Sequence, residues 1–262
     1  MLSVVLHEQG SLGTQAESGR VHAWFPHESD ANRVVDAVRR EPDLGAVALL
    51  ASGIELDGEW HERWMAGLEP IEAGSRMLVV PGRLPRELDP GKVVVRLVPG
   101  RAFGTGEHAT TRLCLAALEA EARPGDAVLD AGTGSGILAI AACLLGCEPV
   151  MAFDTDEVAV EVAARNAALN GCRDRVQLMA GPIDALAPRD YDVVLANLTA
   201  ATLIRLMPAL ARRVRRAALL SGILRGEEGE VSRAAAIAGL RAVSSTFEGD
   251  WVAMRCGPAD HV

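Results

Sequence analysis

Lysine is almost missing from this 262-residue chain: Lys92 stands alone, and arginine supplies the rest of its 26 basic residues. That imbalance reads as coding bias, with no bearing on mechanism. Positive charge is scarce overall, because 35 acidic residues leave a net charge of −9. Such a balance argues against broad electrostatic binding to nucleic-acid phosphates and suits a basic protein partner. No charge-free apolar run of about 18 residues occurs, so no membrane span and no membrane partner are expected. The opening residues, Met-Leu-Ser-Val-Val-Leu-His-Glu, lack a basic region ahead of an apolar stretch, so no secretory leader is expected either. Cys114, Cys143, Cys147, Cys172 and Cys256 form no C-x-x-C pair, and the six histidines are scattered. No metal centre is therefore expected, and the chain reads as a protein of a reducing cytoplasm. The one basic cluster, Arg212-Arg213-Val214-Arg215-Arg216, ends a predicted helix, where arginines favour the dipole and solvent.

What is present in quantity is apolar residue, at 49% of the chain, enough for a substantial core without staples. The most informative stretch is Val128-Leu-Asp-Ala-Gly-Thr-Gly-Ser-Gly-Ile-Leu-Ala-Ile-Ala-Ala142, an apolar strand that ends in a glycine turn and passes at once into a helix. Glycine allows a turn that side chains would block and lets a ligand lie against the main chain. The helix N-terminus behind it offers free N–H groups. Gly132, Gly134 and Gly136 form G-x-G-x-G, in which the third glycine comes one place earlier than in the dinucleotide fingerprint. A second short strand ends in Asp154, about 22 residues past Gly132, near the spacing of an acidic ribose clamp. The pattern L-D-x-G-x-G-x-G followed by that carboxylate resembles the class I S-adenosylmethionine-dependent methyltransferases.

Along the chain, residues 1–55 read as a small α+β unit, with strands at Ser3–His7 and Val21–Phe25 around a Gly/Ser-rich turn, a helix at Asp30–Arg40 with Val34, Val35 and Val38 on its apolar face, and a strand at Gly45–Ala51. Residues 56–98 read as a linker, with a helix at Gly58–Leu68 carrying Trp60 and Trp64 and strands at Met77–Val80 and Lys92–Val98 separated by a Pro/Gly-rich turn. Residues 99–257 alternate strand and helix and close in a hairpin. The expected fold is α/β, a doubly wound Rossmann-like sheet with an antiparallel C-terminal hairpin, preceded by the small α+β domain.

Two further constellations carry chemistry. In Pro99-Gly-Arg-Ala-Phe-Gly-Thr-Gly-Glu-His-Ala-Thr-Thr111, Gly104 and Gly106 make a flexible arch, and Thr110 and Thr111 enter a helix. Hydroxyls there either bind a ligand carboxylate beside the helix N-terminus or serve only as a backbone cap. In Asp192-Val-Val-Leu-Ala-Asn-Leu198, Asn197 ends a buried strand on the cofactor side. Its oxygen can accept from an amine while its NH₂ donates elsewhere, or it simply caps the next helix. The Pro-Pro-aromatic sequence that often follows such a residue in amino-group methyltransferases is replaced by Leu198-Thr199-Ala200. Ser221-Gly-Ile-Leu224 supplies another glycine turn that could line the substrate opening. The likeness to class I methyltransferases implies that the Gly181–Leu186 loop covers the adenine, with Ile183 packing on the ring and Asp184 either meeting its amino group or standing on a plain surface loop.

Together these segments resemble the ribosomal protein L11 methyltransferase family. The match runs through P-G-R-A-F-G-T-G-E-H-A-T-T, L-D-A-G-T-G-S-G-I-L-A-I-A-A, D-V-V-L-A-N-L and S-G-I-L, and through E-W-H-E-R-W followed by L-E-P-I, with Ala109 where proline is frequent. The resemblance implies S-adenosylmethionine as cofactor and methyl transfer to α- and ε-amino groups of ribosomal protein L11. It implies cofactor contacts at Thr111, Gly132, Asp154 and Asn197, with recognition by the N-terminal domain. That domain is expected to be shortened, because the family usually has a strand and helix ahead of the segment matching Ser3. The sulfonium methyl is already activated, so the site's task is to hold a neutral amine in line with it. Asn197 is the expected orienting residue. His108 is a candidate base, with a structural role the competing reading. Two other functions stay open: a relative acting on another protein lysine or a small amine, and a non-enzymatic cofactor-binding module, against which the intact Gly132–Gly136 loop, Asp154 and Asn197 argue.

Overall fold

The structure is a computed structural model that describes residues 6, 11, 13–17, 20–24, 31–40, 70–81, 89–98 and 108–259. The chain divides into two compact units, Met1–Trp64 and Met65–Val262. In the first, β1 (Gly13–Glu17) and β2 (Arg20–Trp24) pair as an antiparallel hairpin with Gly13 opposite Trp24. The helix α1 (Ala31–Arg39) buries Val34 and Val38 with Leu6, and Val21 and Ala23 pack against them. The 3.6-residue spacing of its valines thus marks its buried face. Two expectations change. Gly13–Glu17 is a strand where a turn was read, and Leu6 is helical, not extended. The strand read at Gly45–Ala51 and the Trp60/Trp64 helix lie outside the described residues.

The second unit is built on a seven-stranded sheet. Its elements in chain order are β3 (Ile71–Ala73), β4 (Met77–Pro81), β5 (Val93–Leu97), α2 (Ala109–Glu121), β6 (Val128–Ala131), α3 (Ile137–Leu144), β7 (Val150–Asp154), α4 (Glu157–Leu169), β8 (Val176–Ala180), β9 (Tyr191–Asn197), α5 (Ala200–Ala211), β10 (Val214–Leu224), α6 (Glu228–Ile237), β11 (Leu240–Glu248) and β12 (Trp251–Pro258). The large sheet runs β11-β12-β10-β9-β6-β7-β8. Its five strands from β10 to β8 are parallel, and β12 and β11 add antiparallel pairing.

Helices cover both faces, so the parallel strands are apolar on both sides. Successive residues point to opposite faces. Val128, Val193, Leu195 and Leu219 pack in one core with α2 and α3, whereas Leu129, Val194, Ala196, Ala218 and Leu220 pack in the other with α5 and α6. Each fully buried leucine removes enough apolar surface from water to stabilise by roughly 1.5–3 kcal/mol. Seven of the eight residues of α3 are buried, which explains a helix with no polar face.

The short sheet β3-β4-β5 shares the first of these cores through Met77, Val79, Val95 and Leu97. β3 lies in the stretch read as linker. β4 and β5 pair in parallel, with Val79 opposite Val95, and residues 82–88 of the Pro/Gly-rich stretch between them lie outside the described residues. Among the described residues no helix is long and apolar enough to cross a membrane.

Candidate functional site

The strand order reverses between β6 and β9, which leave the same edge of the sheet side by side with Ala131 opposite Ala196. At such a switch point the chain leaves adjacent strands toward opposite faces, and a crevice opens beyond their carboxyl ends. The next residues after this pair are Gly132 and Asn197, two segments far apart in sequence. Asp154 ends β7 on one flank, and Ser221 faces Asn197 across β10 on the other.

The glycine turn is held from several sides. Gly132 and Thr133 both donate their N–H to the Phe153 carbonyl, at 2.9 and 3.0 Å, and Gly134 donates to Asp154 Oδ2 at 3.0 Å. All three glycines have positive φ. Two have a further reason. A Cβ on Gly132 would lie 2.5 Å from Leu198 Cδ2, and one on Gly136 would lie 2.9 Å from Ala163 Cβ. At these two positions an added side chain would therefore run into the protein itself. Nor is the helix N-terminus wholly free: Asp130 Oδ2 accepts from the Thr133 hydroxyl at 2.7 Å and from the Ala139 N–H at 3.2 Å.

Asp130 is 1% exposed, and its Oδ1 has no partner among the described residues. Burial pushes its carboxyl up to about 6 against the two hydrogen bonds, with Asp154 adding to the rise. The folded value lies above the unfolded one of about 3.8. The group's contribution to stability is therefore complete below about pH 4 and is lost as pH rises through about 6. Asp130→Asn should remove this slope. The thermal midpoints of the two proteins from pH 4 to 7 are the measurement, and a constant difference across that window would contradict the account.

Thr111 and Asn197 come together. Asn197 Nδ2 donates to Thr111 Oγ1 at 3.4 Å. Thr111 is fully buried and Asn197 is half-buried. The cap of α2 is neither threonine but His108, whose Nδ1 lies 2.7 Å from Thr110 Oγ1 and 3.4 Å from the Thr110 N–H. Its ring meets Trp251 edge to face, with centroids 4.6 Å apart. Burial lowers its pKa, Arg112 lowers it further and Glu248 opposes them. Arg112 Nε donates to Glu248 Oε1 at 2.9 Å, so the first turn of α2 is fastened to the closing hairpin. Leu198 follows Asn197 and is hemmed in: a Cβ on Gly222 would lie 2.3 Å from its carbonyl oxygen. The Leu198 N–H donates to the Ser221 carbonyl at 3.0 Å, and the Ser221 hydroxyl to the Val252 carbonyl at 3.0 Å.

On the far flank Ile183 is 3% exposed and packs among the core residues around Phe153, while Asp184 is exposed. The carbonyls of Ile183 and Leu186 both accept from Arg213. The rest of the basic cluster is similarly engaged: Arg212 with the Pro208 carbonyl, Arg215 with Asp192, and Arg216 with Glu121 and Asp126. These arginines fasten loops and strand ends. The arch residues Gly104 and Gly106 lie outside the described residues. Among the described residues no cluster of His, Cys, Asp and Glu could hold a metal ion. Leu198, Trp251 and Glu248 were not legible as site residues, because each works through a partner distant in sequence.

The donor set fits S-adenosylmethionine. Each oxygen of Asp154 accepts one N–H, from Gly134 and Asp156, and a carboxylate has about four acceptor positions, so two hydroxyls can still be received. The orphan Asp130 Oδ1 beneath the glycine turn is an acceptor suited to a cationic or N–H-bearing group. A doubly wound sheet with this turn, an acid ending the adjacent strand and an asparagine across the switch point defines a class I S-adenosylmethionine-dependent methyltransferase.

Comparison with known proteins narrows the class. A family model described as ribosomal protein L11 methyltransferase (PrmA) matches residues 4–257. A ribosomal protein L11 methyltransferase of Geobacter sulfurreducens is 41% identical over 246 residues, covering 90% of this chain and 81% of that protein. Another, from Pelobacter propionicus, is 39% identical over 250 residues, 89% of this chain and 80% of the relative. The crystal structure of a ribosomal protein L11 methylase from Lactobacillus delbrueckii subsp. bulgaricus superposes with a TM-score of 0.67 at 28% identity, covering 73% of this chain and 98% of that one. The chain belongs to the ribosomal protein L11 methyltransferase family.

Proposed function

We propose that this enzyme transfers methyl groups from S-adenosylmethionine to amino groups of ribosomal protein L11, at lysine side chains, the N-terminal α-amino group, or both. The observation that carries the reading is the Asn197–Thr111 hydrogen bond beside Gly132, which joins the acceptor side of the crevice to its cofactor side. In this reading Thr111 and the start of α2 receive the cofactor's carboxylate, favoured by the helix dipole. Gly132, Gly134 and Gly136 bring the main chain against the cofactor, Asp154 receives its ribose hydroxyls, and the Ile183–Asp184 turn borders the adenine. When bound, the cofactor supplies an activated methyl on its sulfonium. Asn197 Oδ1 accepts from the incoming amine and aims its lone pair. The half-buried surroundings favour the neutral amine, which alone can attack. His108 holds the helix start through its Nδ1, and water takes the proton. Residues 1–55 recognise the protein substrate, residues 56–98 join that domain to the catalytic part, and residues 99–257 carry the site.

The test is labelled methyl transfer from S-adenosylmethionine into purified ribosomal protein L11, beside a short lysine peptide and a cell extract. The reading expects one labelled band at the mass of L11 and a higher kcat/KM for the whole protein than for the peptide. A labelled band only at another mass would overturn the substrate. Equal rates on peptide and protein would remove the recognition role of the N-terminal residues. Asp154→Ala is expected to weaken S-adenosylhomocysteine binding about tenfold, the scale of a lost charged hydrogen bond near 1.5 kcal/mol. Calorimetry reads this directly, and unchanged affinity would take the ribose away from Asp154.

A further inference from the structure

Two asparagines one helical turn apart, Asn166 and Asn170, take the place of a neighbouring strand along the open edge of β5. Asn170 accepts from the Arg96 N–H at 2.8 Å and donates to the Arg96 carbonyl at 2.7 Å. Asn166 Oδ1 accepts from the Val98 N–H at 2.9 Å. The spacing explains the fit. Residues i and i+4 of a helix are about 6 Å apart along its axis, and residues i and i+2 of a strand about 6.7 Å. Two side-chain amides of one helix face can therefore meet two successive peptides on one strand edge.

Asn170 Nδ2 also donates to the Asn166 carbonyl at 2.7 Å, whereas Asn166 reaches across to the glycine turn. Asn166 Nδ2 donates to the Ser135 carbonyl at 2.8 Å, and its side chain is fully buried. Ser135 stands inside the glycine turn. Its peptide plane also carries the Gly136 N–H, which donates to the Thr133 carbonyl at 2.8 Å and closes the turn. Carbonyl and N–H of one trans peptide point in opposite directions, so holding the first aims the second. Ala163, three residues earlier on α4, lies where a Cβ on Gly136 would stand. The helix thus braces the turn at two consecutive residues. Val98, at the other end of the Asn166 amide, is the last described residue before the segment that leads to His108 and Thr111.

We propose that Asn166 is a positioning residue for the cofactor: one buried amide ties the Ser135 carbonyl of the glycine turn to the Val98 N–H at the end of β5, and so fixes the orientation of the turn that meets the cofactor. The proposal rests on the cofactor reading above. Asn170 is the control, because it makes the same kind of strand contact without reaching the turn.

The test uses the full chain and compares wild type, Asn166→Ala, Asn166→Asp and Asn170→Ala by thermal midpoint, by S-adenosylhomocysteine affinity in calorimetry, and by cofactor KM against kcat. Asn166→Asp keeps the acceptor for Val98 and turns a donor into an acceptor facing the Ser135 carbonyl. It remains informative should the alanine variant fail to fold. Both Asn166 variants are expected to bind S-adenosylhomocysteine about tenfold more weakly and to raise cofactor KM more than they lower kcat. Asn170→Ala is expected to stay within about twofold of wild type in affinity at a comparable loss of midpoint. Affinity within twofold of wild type in the Asn166 variants, or an equal loss in Asn170→Ala, would overturn the proposal. A wild-type chain that does not bind S-adenosylhomocysteine would instead overturn the cofactor reading beneath it.

Discussion

Asn197→Ala is expected to lower kcat for methyl transfer about a hundred-fold while leaving S-adenosylhomocysteine affinity within about threefold. The asparagine ends β9 beside the glycine turn, and its Nδ2 is engaged by Thr111. In the proposed reading that bond orients the amide, and Oδ1 is the atom that aims the acceptor nitrogen. Loss of aim in a bimolecular transfer costs on the order of 10²-fold in rate. An interaction realised chiefly in the transition state lowers kcat and kcat/KM together. Single-turnover methyl transfer with saturating cofactor separates this from product release. A rate at the wild-type level would reduce Asn197 to a residue that shapes the start of α5.

The second large effect is expected from Gly222→Ala. Gly222 has φ +84°, and a Cβ there would meet the Leu198 carbonyl oxygen at 2.3 Å and its carbonyl carbon at 2.6 Å. Backbone atoms cannot swing aside as a side-chain tip can. The left-handed conformation costs roughly 1–2 kcal/mol and overpacking roughly 1–3. A loss near 3 kcal/mol would lower the thermal midpoint by about 6–12 °C in a unit of this size. Methyl transfer should fall as well, because displacement of Leu198 moves Asn197. Gly226→Ala is the matched control. Its φ is +96°, with nothing within 4 Å of an added Cβ, so it carries the dihedral strain alone. Equal midpoints for the two variants would show that the Leu198 contact is not the cause.

Much of the large unit is legible in sequence, for a physical reason. Its parallel strands are short apolar runs, Asp156 caps α4 in the usual way, and Gly132, Asp154 and Asn197 each sit at or just past a strand end. The doubly wound sheet brings all strand ends to one edge, so residues read one at a time become neighbours. What escaped the sequence is pairing at a distance. Apolar alternation does not give strand direction, so the parallel pairing of β4 with β5 is not legible in sequence. The hairpin strand Gly13–Glu17 carries few apolar residues and looked like a loop. Asn166 looks like any polar residue in a helix, because its partners are peptide groups of Ser135 and Val98, 31 and 68 positions away. His108 capping α2 was hidden by the more familiar cap residues Thr110 and Thr111 beside it.

Leu198 lies against two glycines, and they constrain it unequally. Gly132 is blocked by the tip of the leucine side chain, whereas Gly222 is blocked by the leucine's own peptide. A smaller residue at 198 can therefore make room for an alanine at 132, leaving only the dihedral strain. No residue at 198 can make room for an alanine at 222. In sequence drift the steric block at 132 can be relieved by a change at 198, though the strain of φ +73° remains, while 222 has no compensating partner. The turn after β10 is thus a fixed point, because backbone presses on backbone there, whereas the turn after β6 is held by a side chain that can be exchanged.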